Sequence, residues 1–146
     1  MTWHDTTPRL YARQEFADVS LRTPSAARRF VAEQLDHWHV PGPVSADAEQ
    51  ITGELVANAA EHASGGHVQV ALHHQEHVLT VMVTDEGSPT TTPRIGLPDT
   101  ESESGRGLFL VAVLANNWDW YRRAHGTVVW AELALHHADH QRSEHP

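Results

Sequence analysis

Glu54 and Asn58 are the polar side chains of this sequence whose spacing points most clearly to chemistry. They stand one helical turn apart in an apolar segment, and a helical wheel places Asn58 inside the apolar stripe and Glu54 at its border. An inward pair of this kind costs desolvation free energy unless a polar group meets it, and a cation with a polyphosphate would do so. Taken alone, the helix is equally compatible with a solvated glutamate and an asparagine bonded to backbone.

Two further features would suit a nucleotide. Asp85 ends a β-rich apolar run and is followed by Gly87, so that a buried carboxylate there could accept from an exocyclic amine such as that of adenine. Gly105 and Gly107 precede an apolar helical run at residues 108–115, and free N–H groups at a helix start bind phosphate. The alternatives, an ordinary turn acid and a flexible joint, remain open for each motif by itself.

The elements that must position these residues follow from periodicity. We expect an α+β fold, a two-layer sandwich in which helices cover one face of a mixed, largely antiparallel sheet. Thr23 and Ser45 are the expected N-caps of the first two helices. The order β-α-α-β-β-loop-α-β-β places strands at residues 15–21, 68–72, 78–84, 118–123 and 127–135, and helices at 23–39, 45–63 and 105–115.

The chain of 146 residues fits one domain. We divide it into a flexible N-terminal arm at residues 1–14, the domain proper at 15–135 and a polar tail at 136–146. Residues 85–104 are rich in Pro, Thr, Ser and acidic residues without a period, and loops of that length are usually functional or mobile.

Composition restricts the classes of function. A net charge of −9 argues against direct binding of nucleic acid, and the absence of cysteine excludes disulfides and thiolate zinc sites. All ten basic residues are arginine, so a lysine-dependent P-loop cannot be present. No stretch reaches the roughly 18 apolar residues that span a bilayer, and no export signal stands at the N-terminus, so the sequence predicts a cytoplasmic protein without membrane contact.

Four segments in this order resemble the consecutive signatures of the GHKL ATPase superfamily. The resemblance extends over about residues 15–135 and is greatest to the small single-domain anti-sigma-factor serine/threonine kinases of bacteria. The segments are ELVANAAEHA at 54–63, VTDEG at 83–87, SGRGL at 104–108 and GTVVWAEL at 126–133.

The resemblance implies ATP and Mg²⁺ as cofactors and a role for each matching residue. Asn58 would coordinate Mg²⁺, Glu54 would be the catalytic general base, and Asp85 would accept from the adenine amine. Residues 88–104 would form a lid over the phosphates. The other residues implied in nucleotide binding are Gly87 beside the base, Gly105, Arg106, Gly107 and Leu108 around the phosphates, and Thr127 near the adenine.

Two functions follow from the resemblance. The first is a serine/threonine protein kinase that phosphorylates an anti-sigma-factor antagonist and holds a sigma factor inactive. The second is a non-catalytic module that sequesters a partner when nucleotide is bound. Glu61 replaces a basic residue common in the group, and acids in the lid lie beside the phosphate site, which favours the second. The ATPase half of a histidine kinase is disfavoured because no dimerisation helices precede residue 15, and a homodimer is left undecided.

Histidine clusters and tryptophans suggest less. The spacing of His73, His74 and His77 resembles that of metal ligands, but we expect these residues on a solvated turn and the histidines at 136–140 in a solvated tail. We expect Trp118 and Trp120, with Val128 and Trp130, to fill the space between sheet and helices.

Overall fold

The computed structural model describes residues 9–62, 66–86, 103–124 and 126–135. Within these residues the chain forms three helices and five strands. No helix among them is long and apolar enough to cross a membrane. The strands are β1 (Arg9–Phe16), β2 (Val68–Gln75), β3 (Val78–Asp85), β4 (Asn117–Arg123) and β5 (Gly126–Ala134), and the helices are α1 (Thr23–His37), α2 (Gly42–His62) and α3 (Glu103–Leu114).

The strands form one sheet in the order β1-β2-β3-β5-β4. Every pairing among the described strands is antiparallel. The α+β class is therefore confirmed, whereas the expected mixed character of the sheet is wrong. Tight hairpins join β2 to β3 and β4 to β5, and such turns permit only antiparallel neighbours.

All three helices lie on one face of the sheet, and α2 contacts the three central strands. Opposed residues in antiparallel strands point to the same face, so Val83 of β3 shares the inner face with Val70 of β2 and Val129 of β5. These side chains are buried in one hydrophobic core with Leu35 of α1 and Leu55 of α2. We call this the inner face and the opposite one the outer face.

Strand β1 lies earlier in the chain than the sequence predicted. The expected strand at 15–21 is wrong, and residues 9–14, assigned to the arm, belong to β1. As an edge strand, β1 has no fully buried residue, so its hydrophobic alternation is weak and its position is set by pairing along the whole of β2. Asp18, with a φ of 54°, ends the extended run, and Val19 enters the core from the following loop.

The helix starts also differ from the expected caps. Arg22, not Thr23, is the N-cap of α1, and the Thr23 hydroxyl accepts a hydrogen bond from the Ser20 N–H instead. Helix α2 begins at Gly42, so Ser45 lies inside its first turn with its N–H bonded to the carbonyl of Pro41. Proline near a helix start supplies a suitable φ without losing a hydrogen bond, which explains both early starts.

Strand β2 extends through Gln75, so His73 and His74 lie in a strand and not on a turn. The turn is shorter than expected and contains Glu76, with a φ of 56°. Neighbouring strand residues point to opposite faces, so these two histidines cannot share a metal ion. No group of three metal-ligating side chains occurs in the described part of the chain, and the histidines at 136–140 lie outside it.

His74 is on the inner face, between Leu10 and Leu79, with its ring tilted against Trp38 at a centroid distance of 6.2 Å. Its Nδ1 atom is buried and has no hydrogen-bond partner among the described residues. Burial lowers the pKa of His74 below its usual value of 6.5, and the neighbouring His73 lowers it further. The folded protein therefore binds a proton at His74 less readily than the unfolded chain does.

This difference predicts a pH-dependent stability. The stabilising contribution of neutral His74 is fully present above pH 6.5 and is lost as the pH falls from there towards the lowered pKa of the folded state. We expect the free energy of unfolding, measured by urea titration between pH 7.5 and 5, to fall with pH, and His74→Leu to make that fall shallower. His39→Asn, which removes an exposed histidine, is the control. Equal pH slopes for wild type and His74→Leu would contradict the assignment.

Candidate functional site

The four sequence segments meet at one end of the sheet because of how the chain connects them. A short link from His62 to Val68 brings the end of α2 beside the start of β2, which lies opposite Asp85. Asn117 follows the end of α3 closely in the chain and starts β4 at the end of the sheet far from Asp85. The start of α3 therefore points back towards Asp85. Helix α3 packs on α2. The later half of α2, the end of β3, the start of α3 and the start of β5 therefore surround one region.

Asn58 is buried on α2, with 3% of its surface exposed. This confirms that its side chain points inward. Its Oδ1 atom is buried and lacks a hydrogen-bond partner within the described residues. An unsatisfied buried amide oxygen costs about 1–3 kcal/mol, a cost that a ligand bound to that oxygen would remove.

Glu54 lies one turn before Asn58 and is partly exposed, as its position at the border of the apolar stripe predicted. It lines a cavity of about 320 Å³ together with Glu49 of α2 and Arg28 of α1. Arg28 runs across the buried Gly53, where an added Cβ would overlap the guanidinium. The sequence analysis missed Arg28, because only the packing of α1 on α2 brings it to Glu54.

Asp85 and Thr127 lie directly opposite each other on the inner face, at the end of β3 and the start of β5. They are 8% and 5% exposed. Both residues are polar, whereas the next pair on the inner face of the same two strands, Val83 and Val129, is apolar. The arrangement offers a buried carboxylate and a hydroxyl side by side, which could recognise a planar ligand with an amine donor.

Gly126 is a site residue that the sequence analysis did not identify. Its φ is 155°, and a Cβ added there would overlap the carbonyl oxygen of Asp85 and lie 2.9 Å from the Cα of Glu86. Only glycine lets the first residue of β5 come this close to the end of β3. Gly126 lies in the turn predicted between the last two strands, which was the available signal, but its contact with Asp85 depends on strand register.

His67 links three chain segments at the same end of the sheet. Its Nε2 atom lies 3.2 Å from Oε1 of Glu15, and its Nδ1 atom lies 3.8 Å from Oε2 of Glu86. These residues, with Asp85 and Gly126, line a cavity of about 290 Å³. The groups are a third to two-thirds exposed, so solvent weakens the pairs, and their main effect is to hold strand ends together.

The glycine pair lies within α3, not before it. Helix α3 starts at Glu103, so Gly105 belongs to its first turn, whose N–H groups have no partner within a helix. Leu108 is fully buried in the hydrophobic core, which leaves its backbone as the part available to a ligand. The side chain of Arg106, Gly87 and residues 88–102 of the expected lid lie outside the described residues.

The side-chain oxygen atoms of this site can be compared with the ligands that Mg²⁺ prefers. This cation prefers oxygen ligands and commonly takes one or two from protein while phosphates and waters supply the others. Asn58 Oδ1 is a buried, unpaired oxygen of that kind. The described residues include no group of three ligating side chains that could hold a metal alone. The site therefore fits Mg²⁺ bound together with a polyphosphate, and not a free-standing metal centre.

The Gly126 contact generates a stability prediction. We expect Gly126→Ala to lower the free energy of unfolding by more than about 1 kcal/mol, because alanine disfavours this φ and its methyl group overlaps Asp85. Gly42→Ala is the matched control, since an added Cβ at that helix start meets no atom within 4 Å. Denaturant titration measures both variants. A Gly126→Ala protein as stable as the control would show that the contact is unimportant.

A profile of the family described as histidine kinase-like ATPase domain matches residues 18–133. No curated protein matches the chain significantly. The solved RsbU and RsbW domains of Rv1364c from Mycobacterium tuberculosis match with a TM-score of 0.61 at 21% identity. That match covers 88% of this chain and 33% of the other.

At this identity the structural match supports the fold alone, whereas the family profile matches most of the chain and includes all four motif segments. The family profile and the structure are consistent, because the four segments that the profile includes meet at one end of an antiparallel sheet. The chain belongs to the family of histidine kinase-like ATPase domains.

Proposed function

We propose that this protein is an ATP-dependent serine/threonine protein kinase that acts as an anti-sigma factor and phosphorylates an anti-sigma-factor antagonist. The observation that carries the proposal is the buried, unpaired Oδ1 of Asn58, one turn after Glu54 and at the end of the sheet where Asp85 lies. Membership of an ATPase family and the likeness to a structure containing an RsbW domain support it. We propose that the protein acts in the cytoplasm.

In this proposal the adenine lies against the ends of β3 and β5. Asp85 accepts a hydrogen bond from the adenine amine, and Thr127 lies beside it on the same face. Gly87 passes next to the base, and the start of α3, with Gly105 and Gly107, binds the phosphates through backbone N–H groups. A guanine ring would place a carbonyl oxygen where Asp85 requires a donor, so the site should select ATP over GTP.

Asn58 and Glu54 have separate tasks. Asn58 would hold Mg²⁺, which supplies neutralisation of phosphate charge when it is bound. Glu54 accepts the proton of a substrate serine or threonine hydroxyl, whose oxygen attacks the γ-phosphorus as the bond to the β-phosphate oxygen breaks and ADP leaves. Glu54 borders the 320 Å³ cavity at the helix surface, where a protein substrate could reach it. Arg28 lies in the same cavity and would offset the charge of the approaching phosphate.

The partners in this proposal are a sigma factor and a small antagonist that compete for the protein. A chain of net charge −9 should bind a basic surface of the sigma factor, with an affinity that decreases as salt screens the charges.

A second function rests on a different observation. Glu61 is exposed on α2, near the end of the site, at the position where the resemblance to the GHKL family implies a basic residue. An acid there would repel phosphate, and Glu49 adds another carboxylate beside Glu54. These acids favour a module that sequesters a partner when nucleotide binds and transfers no phosphate.

The adenine assignment predicts a base-specific loss. We expect Asp85→Asn to weaken ATP binding by about 1–3 kcal/mol, roughly five- to 150-fold, because the amide is a weaker acceptor than the carboxylate. Isothermal calorimetry with ATP and GTP in the presence of Mg²⁺ measures it. Asp36→Asn, an exposed change on α1, is the control. Equal affinity for ATP and GTP in the wild type would refute the adenine assignment.

The division between Asn58 and Glu54 predicts two different defects. We expect Asn58→Ala to lose Mg²⁺-dependent nucleotide binding, and Glu54→Gln to bind normally while it transfers phosphate at least about a hundredfold more slowly, the usual contribution of a general base. Glu33→Gln, exposed on α1, should behave as wild type. Calorimetry measures binding, and transfer from γ-labelled ATP to proteins captured from a bacterial lysate measures the chemical step.

The same assay separates the two functions. Labelling of a captured small antagonist that depends on Glu54 supports the kinase, whereas ATP-dependent capture of a sigma factor without labelling supports the sequestering module. Matched losses of nucleotide binding in Asn58→Ala and Glu54→Gln would contradict the proposed division of roles.

A further inference from the structure

Some apolar side chains of the described residues lie outside the hydrophobic core. Trp130 and Val128, expected between sheet and helices, belong by strand register to the outer face, which corrects that prediction, whereas Trp118 and Trp120 do pack against the core. The most exposed large apolar side chain is not on the sheet. It is Leu21, in the loop between β1 and α1, which is 97% exposed.

Exposure alone does not indicate an interface, since single apolar residues are common on protein surfaces. Leu21 differs because the chain holds it in a fixed position. It is the second residue of a β-turn at residues 20–23, which the Thr23 N–H closes by donating to the Ser20 carbonyl oxygen at 3.1 Å. The Ser20 N–H donates to the Thr23 hydroxyl at 2.9 Å, and the Arg22 N–H donates to the Ser20 hydroxyl at 3.1 Å. We call residues 20–23 the Leu21 turn.

The Leu21 turn is also anchored at both ends. Val19, just before it, is 4% exposed and Thr23 is 7% exposed. The Val19 N–H donates to the Gly66 carbonyl oxygen at 3.1 Å. A side chain that is already held in place loses little conformational entropy when a partner covers it. Leu21 is therefore suited to be an anchor residue that fills a pocket on another molecule.

The turn lies at the end of the sheet that carries the candidate site. Gly66, to which Val19 bonds, comes just before β2, whose first residue is paired with Asp85. Further along α1, Arg28 lines the cavity that contains Glu54. A protein bound to the Leu21 turn and to the start of α1 would therefore lie close to Glu54.

The surface that continues from the turn along α1 is basic, although the whole chain has a net charge of −9. Arg22 and Arg29 are exposed and lie two helical turns apart, so they share one face of α1. The first turn of α1 has no acidic residue and no side-chain cap, which leaves the positive end of the helix dipole uncompensated. The exposed acids Glu33 and Asp36 come only in later turns, and Asp18 precedes the Leu21 turn on its other side.

These features select one kind of partner. A leucine beside two guanidinium groups fits an apolar pocket with carboxylates at its rim. A second copy of this chain is a poor fit, because the two cavities described above are lined mainly by charged and polar side chains. An anionic membrane is also a poor fit, since one leucine inserts little apolar area and a net charge of −9 is repelled. These comparisons favour an acidic protein.

We propose that the Leu21 turn is a protein-docking surface. It binds an acidic partner protein by placing Leu21 in an apolar pocket and Arg22 and Arg29 against carboxylates at the rim of that pocket. The surface contains none of the residues assigned to nucleotide binding or catalysis. The proposal therefore goes beyond the proposed phosphoryl transfer, and its variants leave the nucleotide site unchanged.

Photocrosslinking tests whether a protein covers this surface. Ser25→Cys is exposed on the helix face between Arg22 and Arg29, and it would carry the only thiol of the chain, to which a benzophenone maleimide can be attached. In a lysate of the native host, we expect irradiation to join this variant to one acidic protein, identified by mass spectrometry. Val113→Cys, 63% exposed on α3, is the matched control and should not be joined to that protein.

The affinity of the identified protein, purified and measured by calorimetry, tests the contacts. We expect Leu21→Ser and Arg22→Glu each to weaken binding at least about tenfold, because one removes the apolar anchor and the other puts like charges in contact. Leu21→Met should retain most of the affinity, since it keeps the apolar volume. Ser20→Ala, which removes the hydrogen bond to the Arg22 N–H, should weaken binding although Leu21 remains.

Val113→Ser and Arg9→Glu, exposed changes on α3 and at the start of β1, should bind as wild type. Circular dichroism verifies the folding of each variant. Vesicles of equal parts phosphatidylcholine and phosphatidylglycerol test the membrane alternative by cosedimentation, and we expect the wild type to remain in the supernatant.

Four results would overturn the proposal. The first is the absence of any protein crosslinked through Ser25→Cys above the Val113→Cys control. The second is a crosslinked partner with a basic contact surface. The third is an identified partner that binds Leu21→Ser as tightly as wild type. The fourth is cosedimentation of the wild type with the vesicles that Leu21→Ser abolishes. Failure of ATP binding or of phosphoryl transfer would count against the proposed function alone, because none of these measurements needs nucleotide.

Discussion

In the register of β3 against β5, Asp85 stands opposite Thr127 on the face that the helices cover, and the backbone of Gly126 lies against the Asp85 carbonyl. Strand side chains alternate between faces, so a slip of one residue would turn Asp85 to the outer face and Val83 away from the core. The buried valines on three strands make that slip costly. The burial of these valines therefore also fixes the strand register at the polar end of the sheet.

Asn58 shows the cost of keeping a polar group in such a core. Helix α2 buries its apolar stripe against three strands, and the amide lies in that stripe without a partner for Oδ1 among the described residues. A buried unsatisfied oxygen lowers stability, whereas an apolar residue of similar size would not. The presence of this unpartnered oxygen is explained if it binds a ligand. Glu54, at the edge of the same helix, keeps access to solvent and so to a second molecule.

The two faces of the sheet carry two different sets of side chains. The inner face combines the hydrophobic core with the polar site, and the outer face carries exposed aromatic and charged residues in register. Because alternation is strict, a change in one set leaves the other in place. His74 is the exception on the inner face, where a titratable ring lies in an apolar environment at the end of β2 away from Asp85.

The sequence by itself determined the class of fold, seven of the eight elements in approximate position and the inward orientation of Asn58, because these depend on local periodicity and on motifs within single segments. Only the tertiary structure decided where β1 begins, since an edge strand takes its position from its neighbour. It also decided that Gly126 abuts Asp85 and that Arg28 reaches Glu54. Those contacts join residues distant in the chain, and their geometry follows from register and helix packing, which no local pattern encodes.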